Sequence, residues 1–256
     1  MASVELLSAR EVTLGYGKKE VVRFSLELRR GEWISLIGPN GAGKSTILYG
    51  LAGLMPLKSG EIWLANESFT RLSPRRRARK IALMRQIPAT SYPFTAYEIV
   101  LQGRYPHGFS QEDEKLAWEA LERVGGLHLA ASPFSSLSGG ERQKVWLARA
   151  IAQQTPILLL DEPASHLDPA VSHEIYQLLK ELCAEGKALL CVLHDLAYAS
   201  LMSDRILLLK EGRVLAEGPP QEVLNPDLLE KLYGIPFSVV KHPDTGKPLP
   251  FPSIGL

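Results

Sequence analysis

Cysteine is scarce in this sequence of 256 residues, which contains only Cys183 and Cys191. The two lie eight positions apart, without the spacing of a metal site. Neither a disulfide framework nor a zinc site is therefore indicated. A reducing, cytosolic compartment is the simpler interpretation.

An excess of charge of either sign is also lacking. The sequence has 29 basic and 28 acidic residues, and its formal net charge is +1. Because this balance gives no overall electrostatic reason to bind nucleic acid, we expect no nucleic-acid partner. The basic run SPRRRARK at 73–80 is a local exception. This run has two interpretations, a site that contacts phosphate or lipid and a solvated face of a helix. Charge runs are more commonly solvated faces.

Long apolar runs are missing too. No stretch approaches the roughly 20 residues needed to span a bilayer. The first residues, MASVELLSAR, lack the basic and apolar regions of a signal peptide, and we expect none. Any link to a membrane should therefore come through a partner.

Hydrophobic residues make up 45% of the sequence, which is enough to bury a sizeable core in one domain, with or without a subdomain. The alternation in VVRFSLELRRG is typical of a strand with one wet face and predicts an antiparallel N-terminal sheet. EWISLIG predicts a strand that enters a glycine loop, and the apolar spacing over 44–54 predicts a helix after that loop.

Apolar runs in the second half, PILLLDEP at 156–163 and ALLCVLHD at 188–195, suit parallel strands buried on both faces. Between them, Asp168 and Pro169 begin a predicted helix that Gly186 ends. RILLLKEGRVLAEG predicts a hairpin about Glu211 and Gly212. The tail after Gly234 is interrupted by prolines, and we expect it to lie over the surface.

Strands that alternate with amphipathic helices indicate the α/β class with a mainly parallel sheet. Residues 87–155 instead show helical patterns, as in EDEKLAWEALERVGG and ERQKVWLARAIAQ. We therefore predict one domain, with a catalytic core and β subdomain formed by 1–86 and 156–256 and an inserted helical subdomain at 87–155.

The stretch GPNGAGKST fits the phosphate-binding pattern G-x-x-x-x-G-K-[ST] in its required context, after a strand and before a helix. Its glycines let backbone N–H groups wrap phosphate oxygens, its lysine reaches the outer phosphates, and its serine hydroxyl suits Mg²⁺. A tight turn with a surface lysine is the alternative. The predicted nucleotide-binding residues are Gly38, Pro39, Asn40, Gly41, Ala42, Gly43, Lys44, Ser45 and Thr46.

Two acids, Asp161 and Glu162, end a predicted strand on the side where open α/β sheets bind ligands. Asp161 suits a magnesium ligand and Glu162 suits a base that orients water, although a loop cap is the alternative. His194 also ends an apolar strand, but its position alone leaves a structural and a catalytic role equally open. Gln86 and Tyr16 are by themselves less informative.

A second candidate anion site is LSGGERQ at 137–143, a polar and glycine break before a predicted helix at 142–154. A helix N-terminus with free N–H groups attracts negative charge, so Ser138, Gly139 and Gly140 are expected to bind something anionic. The sequence therefore contains two candidate phosphate sites, and only the first has a lysine.

With GPNGAGKST, LSGGE, LLLDEP and LHD in this order, the sequence resembles the ATP-binding subunits of ABC transporters over nearly its whole length. The resemblance implies a P-loop ATPase core that uses ATP and Mg²⁺. In SHLD at 165–168, His166 replaces the alanine common in the family. The implied roles are adenine stacking by Tyr16, magnesium binding by Ser45, Gln86 and Asp161, and catalysis by Lys44, Gln86, Glu162 and His194.

The resemblance also accounts for two phosphate sites, because such subunits form head-to-tail homodimers. Ser138 and Gly140 of one subunit would then close on the γ-phosphate held by Lys44 of the other. Gln86 would contact a membrane permease as well, so that opening and closing of the dimer are passed to it.

Within the family, YEIVLQGRYPH at 97–107 and the tail YGIPFSVVKHPDTGKPLPFP resemble the importers of iron siderophores, haem and cobalamin. We expect a ferric siderophore first, cobalamin second and haem third, with a permease and a substrate-binding protein as partners. The subunit would lie peripherally at the cytoplasmic face of the membrane. A P-loop GTPase is disfavoured, whereas an exporter ATPase and a chromosome or ribosome ATPase are the alternatives.

Overall fold

The computed structural model describes residues 4–85, 93–108 and 110–253. The predicted α/β class is confirmed by a ten-stranded mixed sheet with helices on both faces, to which the tail adds a two-stranded sheet. The strands are β1 Glu5–Tyr16, β2 Lys19–Arg29, β3 Trp33–Ile37, β4 Leu57–Leu64, β5 Glu67–Ser68, β6 Ile81–Met84, β7 Ile157–Asp161, β8 Ala188–Val192, β9 Arg205–Lys210, β10 Arg213–Gly218, β11 Phe237–Lys241 and β12 Pro248–Pro252. The helices are α1 Lys44–Leu51, α2 Pro74–Ala78, α3 Ala96–Leu101, α4 Gln111–Arg123, α5 Gly139–Ala152, α6 Pro169–Ala184, α7 Leu196–Met202, α8 Pro220–Val223 and α9 Pro226–Tyr233.

The large sheet has the order β5-β4-β1-β2-β10-β9-β3-β8-β7-β6. Strands β9, β3, β8, β7 and β6 are parallel to their neighbours in this series, and β1, β2, β4 and β5 pair antiparallel. β2 alternates between exposed and buried residues, whereas every residue of β3, β7 and β8 is buried. These burial patterns follow the sequence, because a mainly apolar run can be covered on both faces.

The core lies on both faces of the sheet. Along β3, Trp33 and Ile37 pack into one apolar cluster with helices α3 to α6, and Ile34 and Leu36 pack into the other with α1 and the antiparallel strands. Because β3, β8 and β7 are parallel neighbours, their carboxyl ends meet at one edge of the sheet. The candidate site lies at this edge.

The hairpin about Glu211 and Gly212 forms as predicted, as β9 and β10. In the described ranges, no helix is both long and apolar enough to cross a bilayer. The proposed boundary between residues 86 and 87 falls in 86–92, outside the described residues, and the division into core and helical subdomain stays a prediction.

Two helix boundaries and the structure of the tail differ from expectation. The helix after the P-loop ends at Leu51, and Gly53 follows with a φ of 76°. The helix of LSGGERQ begins at Gly139 instead of residue 142, because the Ser138 side chain caps it. The tail, which was expected to be interrupted by prolines, contains the hairpin β11 and β12, and the prolines within these two strands all lie in β12.

Candidate active site

The P-loop connects the end of β3 to the start of α1 through residues 38–43. Gly38 allows close packing, since an added Cβ would lie 2.1 Å from the Leu209 carbonyl oxygen. Gly41 and Gly43 adopt φ values of 79° and 103°, which strain other residues. Gly43 is also the N-cap of α1 and supplies no side-chain cap. The first N–H groups of α1 are therefore left for an anion from outside the helix.

Lys44 folds back over this loop. Its buried ammonium donates hydrogen bonds to the carbonyl oxygens of Gly38, at 2.6 Å, and Pro39, at 3.0 Å. Burial lowers the pKa of Lys44, while the carboxylates of Glu162 and Asp161 act in the opposite direction. The lysine therefore lies beside the open end of α1, within reach of a phosphate there.

Asp161, at the end of β7, is only 3% exposed and accepts a hydrogen bond from the side chain of Ser45. Burial raises the pKa of Asp161, and Glu162 raises it further, against the effects of the Ser45 hydrogen bond and Lys44. A hydroxyl and a carboxylate in contact are the hard oxygen donors that Mg²⁺ prefers. Because an acid in this environment gains from a nearby cation, Ser45 and Asp161 fit a magnesium ion.

Glu162 follows Asp161 and contacts His194, with 2.6 Å between Oε1 and the imidazole Nε2. The backbone N–H of Glu162 donates to the Val192 carbonyl oxygen at 3.2 Å. Since Val192 ends β8, two residues before His194, the neighbouring ends of β7 and β8 bring the acid and the imidazole together. Both line a cleft of about 850 Å³ to which the P-loop residue Asn40 also contributes.

The motif LSGGE at 137–141, which we call the signature motif, leads into α5: Ser138 caps this helix, and Gly139 and Gly140 are its first two residues. The Ser138 hydroxyl donates to Glu141 Oε2 at 2.7 Å and completes a capping box with the Glu141 backbone. Within the described part of the chain, residues 138–140 do not line the cleft at Glu162 and His194. A Cβ at Gly139 would have no heavy atom within 4 Å, so this helix start is open to an incoming group.

Tyr16 does not line the cleft at Glu162 and His194. Tyr16, at the end of β1, is 62% exposed. Gln86 lies outside the described residues, so the structure says nothing of its position. Gln143 was not among the predicted site residues, although its side chain donates a hydrogen bond to the Glu162 carbonyl oxygen. In the sequence, the one feature that could have indicated Gln143 is its position as a glutamine on the buried side of the amphipathic helix α5.

The basic run at 73–80 forms the short helix α2. Arg75 and Arg79 each donate through Nε to the Pro106 carbonyl oxygen, at 2.8 and 2.9 Å, and Arg76 pairs with Glu67 at 2.8 Å. Two arginines of the basic run are therefore hydrogen-bonded to the segment YEIVLQGRYPH at 97–107.

Comparison with known proteins points to one family. A family model described as "ABC transporter" matches residues 21–165. The ferric enterobactin transport ATP-binding protein FepC of Escherichia coli (strain K12) is 38% identical, over 98% of this chain and 95% of that protein. The iron(3+)-hydroxamate import ATP-binding protein FhuC of Bacillus subtilis (strain 168) is 39% identical, over 95% and 93%. The hemin import ATP-binding protein HmuV of Pseudomonas fluorescens (strain Pf0-1) is 39% identical, over 95% and 98%.

Solved structures that resemble this chain point to the same family. A putative metal-chelate type ABC transporter in an inward-facing conformation matches with a TM-score of 0.83 and 26% identity, over 98% of both chains. The dimeric ATP-binding cassette MJ0796, in a post-hydrolysis state bound to ADP and Pi, matches with a TM-score of 0.75 and 31% identity, over 84% of this chain and 98% of that one.

Proposed function

This chain belongs to the ABC transporter family, and from that premise we propose that it is the ATP-hydrolysing subunit of a metal-chelate importer. It is an ATPase that uses ATP with Mg²⁺. The observation that supports the proposed site best is the convergence of Lys44, Ser45, Asp161, Glu162 and His194 at one sheet edge.

In the proposed mechanism, the N–H groups at the start of α1 bind the β- and γ-phosphates. The ammonium of Lys44 leaves the carbonyl oxygens of Gly38 and Pro39 and donates its hydrogen bonds to phosphate oxygens instead. Ser45 and Asp161, with Gln86 as a further ligand, would hold Mg²⁺, which would supply positive charge against the phosphates. Glu162 accepts the proton of the attacking water and orients it in line. His194, held against Glu162, donates to the γ-phosphate. Tyr16 stacks on adenine.

The two phosphate sites act on one nucleotide in a head-to-tail homodimer. The N-terminus of α5, with Ser138, Gly139 and Gly140, faces the γ-phosphate bound by the partner's P-loop. Because the Ser138 hydroxyl already donates to Glu141, it must turn from that carboxylate to the phosphate. ATP then joins the subunits and its hydrolysis releases them.

The proposed cargo is a ferric siderophore or haem. This proposal is supported by the relatives named for ferric enterobactin, iron(3+)-hydroxamate and hemin, each matched over more than nine tenths of both chains. The metal-chelate type transporter, matched over 98% of both chains, supports it as well. Cobalamin remains a prediction from the sequence resemblance.

The proposed partners are membrane permeases and, through them, a substrate-binding protein. The subunit would lie at the cytoplasmic face of the membrane, where a groove beside Tyr105 would receive a permease segment. This groove has a volume of about 570 Å³ and is lined by Tyr105, Pro106, Pro74, Arg75 and Ala78 among others. An exporter ATPase and a non-transport ATPase remain the alternative functions.

Glu162→Gln tests the hydrolytic part of the proposal. The amide cannot accept the proton of water, so we expect the rate of ATP hydrolysis to fall by about 10²- to 10⁴-fold. ATP binding should persist, and an ATP-bound dimer should accumulate in size-exclusion chromatography. A hydrolysis rate like that of the unmodified protein would remove Glu162 from the mechanism.

Tyr105→Arg tests the transport part. Tyr105 is 73% exposed beside the groove, so a bulky charged residue there should block permease docking without touching the ATP site. In cells that contain the cognate permease and binding protein, uptake of labelled ferric enterobactin and haem should fall, while the isolated subunit keeps its ATPase rate. Phe251→Arg, at an exposed position of β12, is the matched control. Undiminished uptake by Tyr105→Arg would contradict docking at this groove.

A further inference from the structure

The backbone of Glu162 is unusual for a residue with a long side chain. Its φ of 54° lies in the left-handed region, which costs free energy for any residue other than glycine. Such a conformation persists only when the surrounding structure holds it. The contacts that hold Glu162 therefore decide where its carboxylate points.

Three segments make these contacts. The Glu162 N–H donates to Val192 at the end of β8. Its carbonyl oxygen accepts from the backbone N–H and the hydroxyl of Ser165, each at 3.3 Å. The shortest contact to this oxygen, at 3.0 Å, comes from Gln143 Nε2.

Gln143 reaches Glu162 from a different part of the fold. It lies on α5, five positions after Ser138, and its side chain is shielded, with 8% of the residue exposed. Since a carbonyl oxygen only accepts hydrogen bonds, the amide nitrogen of Gln143 must face it, which settles the orientation of the side chain. α5 is thus connected to the Glu162 backbone of the same chain.

We propose that Gln143 is a positioning residue for ATP hydrolysis, which holds the Glu162 backbone in its left-handed conformation and so aims the carboxylate at the attacking water. The proposal rests on the catalytic role proposed for Glu162. Gln143 itself does not line the cleft at Glu162 and His194, so its proposed action is through the Glu162 backbone. Its action depends on the location of α5, so the signature helix sets the aim of the base in its own subunit.

Gln143→Met tests the proposal, because methionine fills the same space without an N–H donor. Gln143→Glu, which keeps the length and loses the donor, serves as a second variant if the first folds poorly. In the full-length protein we expect kcat to fall by about 10-fold or more, as misplacement of a reacting group does. The dissociation constant of ATP and the ATP-induced dimer should be unchanged.

Gln153→Met, at the C-cap of the same helix, is the matched control. Gln153 Nε2 donates to the carbonyl oxygens of Ala78 and Ile81, at 2.6 and 3.0 Å, and has no contact with Glu162 in the described structure. A comparable loss of thermal stability in Gln153→Met with an unchanged kcat would support a specific role for Gln143. An equal fall of kcat in both variants would mean that general loosening of α5 is responsible, and would overturn the proposal.

The double variant Gln143→Met with Glu162→Gln separates positioning from structure. If Gln143 acts through the carboxylate, its replacement should not change the residual single-turnover rate of Glu162→Gln, since effects of residues that act as a unit are not additive. The same proportional fall in both backgrounds would overturn the proposal. A normal rate in Glu162→Gln alone would instead reject the proposed base, so the two failures are distinguishable.

Discussion

Lys44 and Asp161 influence each other's ionisation, and the neighbouring carboxylate of Glu162 acts on both of them. Burial disfavours the charge on Lys44 and on Asp161, lowering the pKa of the first and raising that of the second. The opposite charges of lysine and acids counteract both shifts. Two acids beside one lysine leave an excess of negative charge, which fits the binding of a magnesium ion with the nucleotide.

Tyr16 should affect nucleotide affinity and leave the chemical step alone. Base–aromatic stacking contributes about 1–3 kcal/mol, so Tyr16→Ala should weaken ATP binding by about tenfold. The rate at saturating ATP should be unchanged, because the ring is remote from the γ-phosphate in the proposed mode. Fluorescent ATP titration and steady-state kinetics measure the two quantities.

The conservative variant Tyr16→Phe serves as the control for Tyr16→Ala, since it keeps the aromatic face. Unaltered affinity in Tyr16→Ala would show that the exposed ring of Tyr16 does not stack on adenine.

At the scale of elements, α5 is anchored at its C-terminal end by the segment after α3. Arg104 donates through Nη1 to the Ala152 carbonyl oxygen at 2.7 Å and through Nε to Asp113 Oδ1 of α4 at 2.7 Å. His107 Nε2 lies 3.0 Å from the Gln153 carbonyl oxygen. Cationic side chains are favourable at a helix C-terminus. The proposed permease-facing segment and the signature motif are therefore connected to opposite ends of one helix.

Arg104→Met should destabilise the protein. Arg104 and Asp113 form an ion pair whose side chains are each 7% exposed, and removal of one partner leaves a buried charge. Such changes cost about 3–5 kcal/mol. Chemical denaturation measures the loss, and Lys115→Met, which breaks an exposed pair with Glu119 on α4, should cost at most about 1 kcal/mol. Equal costs for the two variants would contradict the importance of the buried pair.

The pH dependence of this pair has a definite sign. Burial alone would raise the pKa of Asp113, but its hydrogen bonds with Arg104 and Ser110 lower it overall. A lowered folded pKa contributes stability above the unfolded value of about 3.9, and that contribution is lost as pH falls through the folded pKa. Without Arg104, protonation of Asp113 removes the buried charge, so the cost of Arg104→Met should shrink on acidification.

At the scale of the whole molecule, the sequence predicted what depends on local chemistry. Mainly apolar runs predicted the strands β3, β7 and β8, and the ends of β7 and β8 marked the sheet edge with Asp161 and His194. The resemblance named the same residues together with Tyr16 and Ser138. Their roles in catalysis and binding stay predictions that the experiments above address.

What the sequence could not predict depends on contacts between distant residues. Gln143 and Glu162 are 19 positions apart, and their hydrogen bond joins α5 to the residue that follows β7. The hairpin β11 and β12 escaped prediction because its prolines indicate breaks, although an edge strand tolerates them. The first turn of α5 was missed since glycine disfavours helix, and the Ser138 capping box overrides that preference.

The central claim is that one ATP is held between the P-loop of one subunit and Ser138 of the other. It is tested most directly by mixing two inactive variants, Lys44→Ala and Ser138→Arg, each in a Glu162→Gln background that prevents hydrolysis. Each homodimer loses charge-assisted hydrogen bonds worth about 1.5–3 kcal/mol apiece, so neither should retain ATP. The measurement is ATP kept through rapid desalting, per heterodimer formed.

In the mixed dimer, the intact P-loop of the Ser138→Arg subunit meets the intact signature of the Lys44→Ala subunit, which rebuilds one complete site. We expect retention close to one ATP per heterodimer. No retention, with the heterodimer shown to form, would contradict it and would leave the N-terminus of α5 serving its own chain.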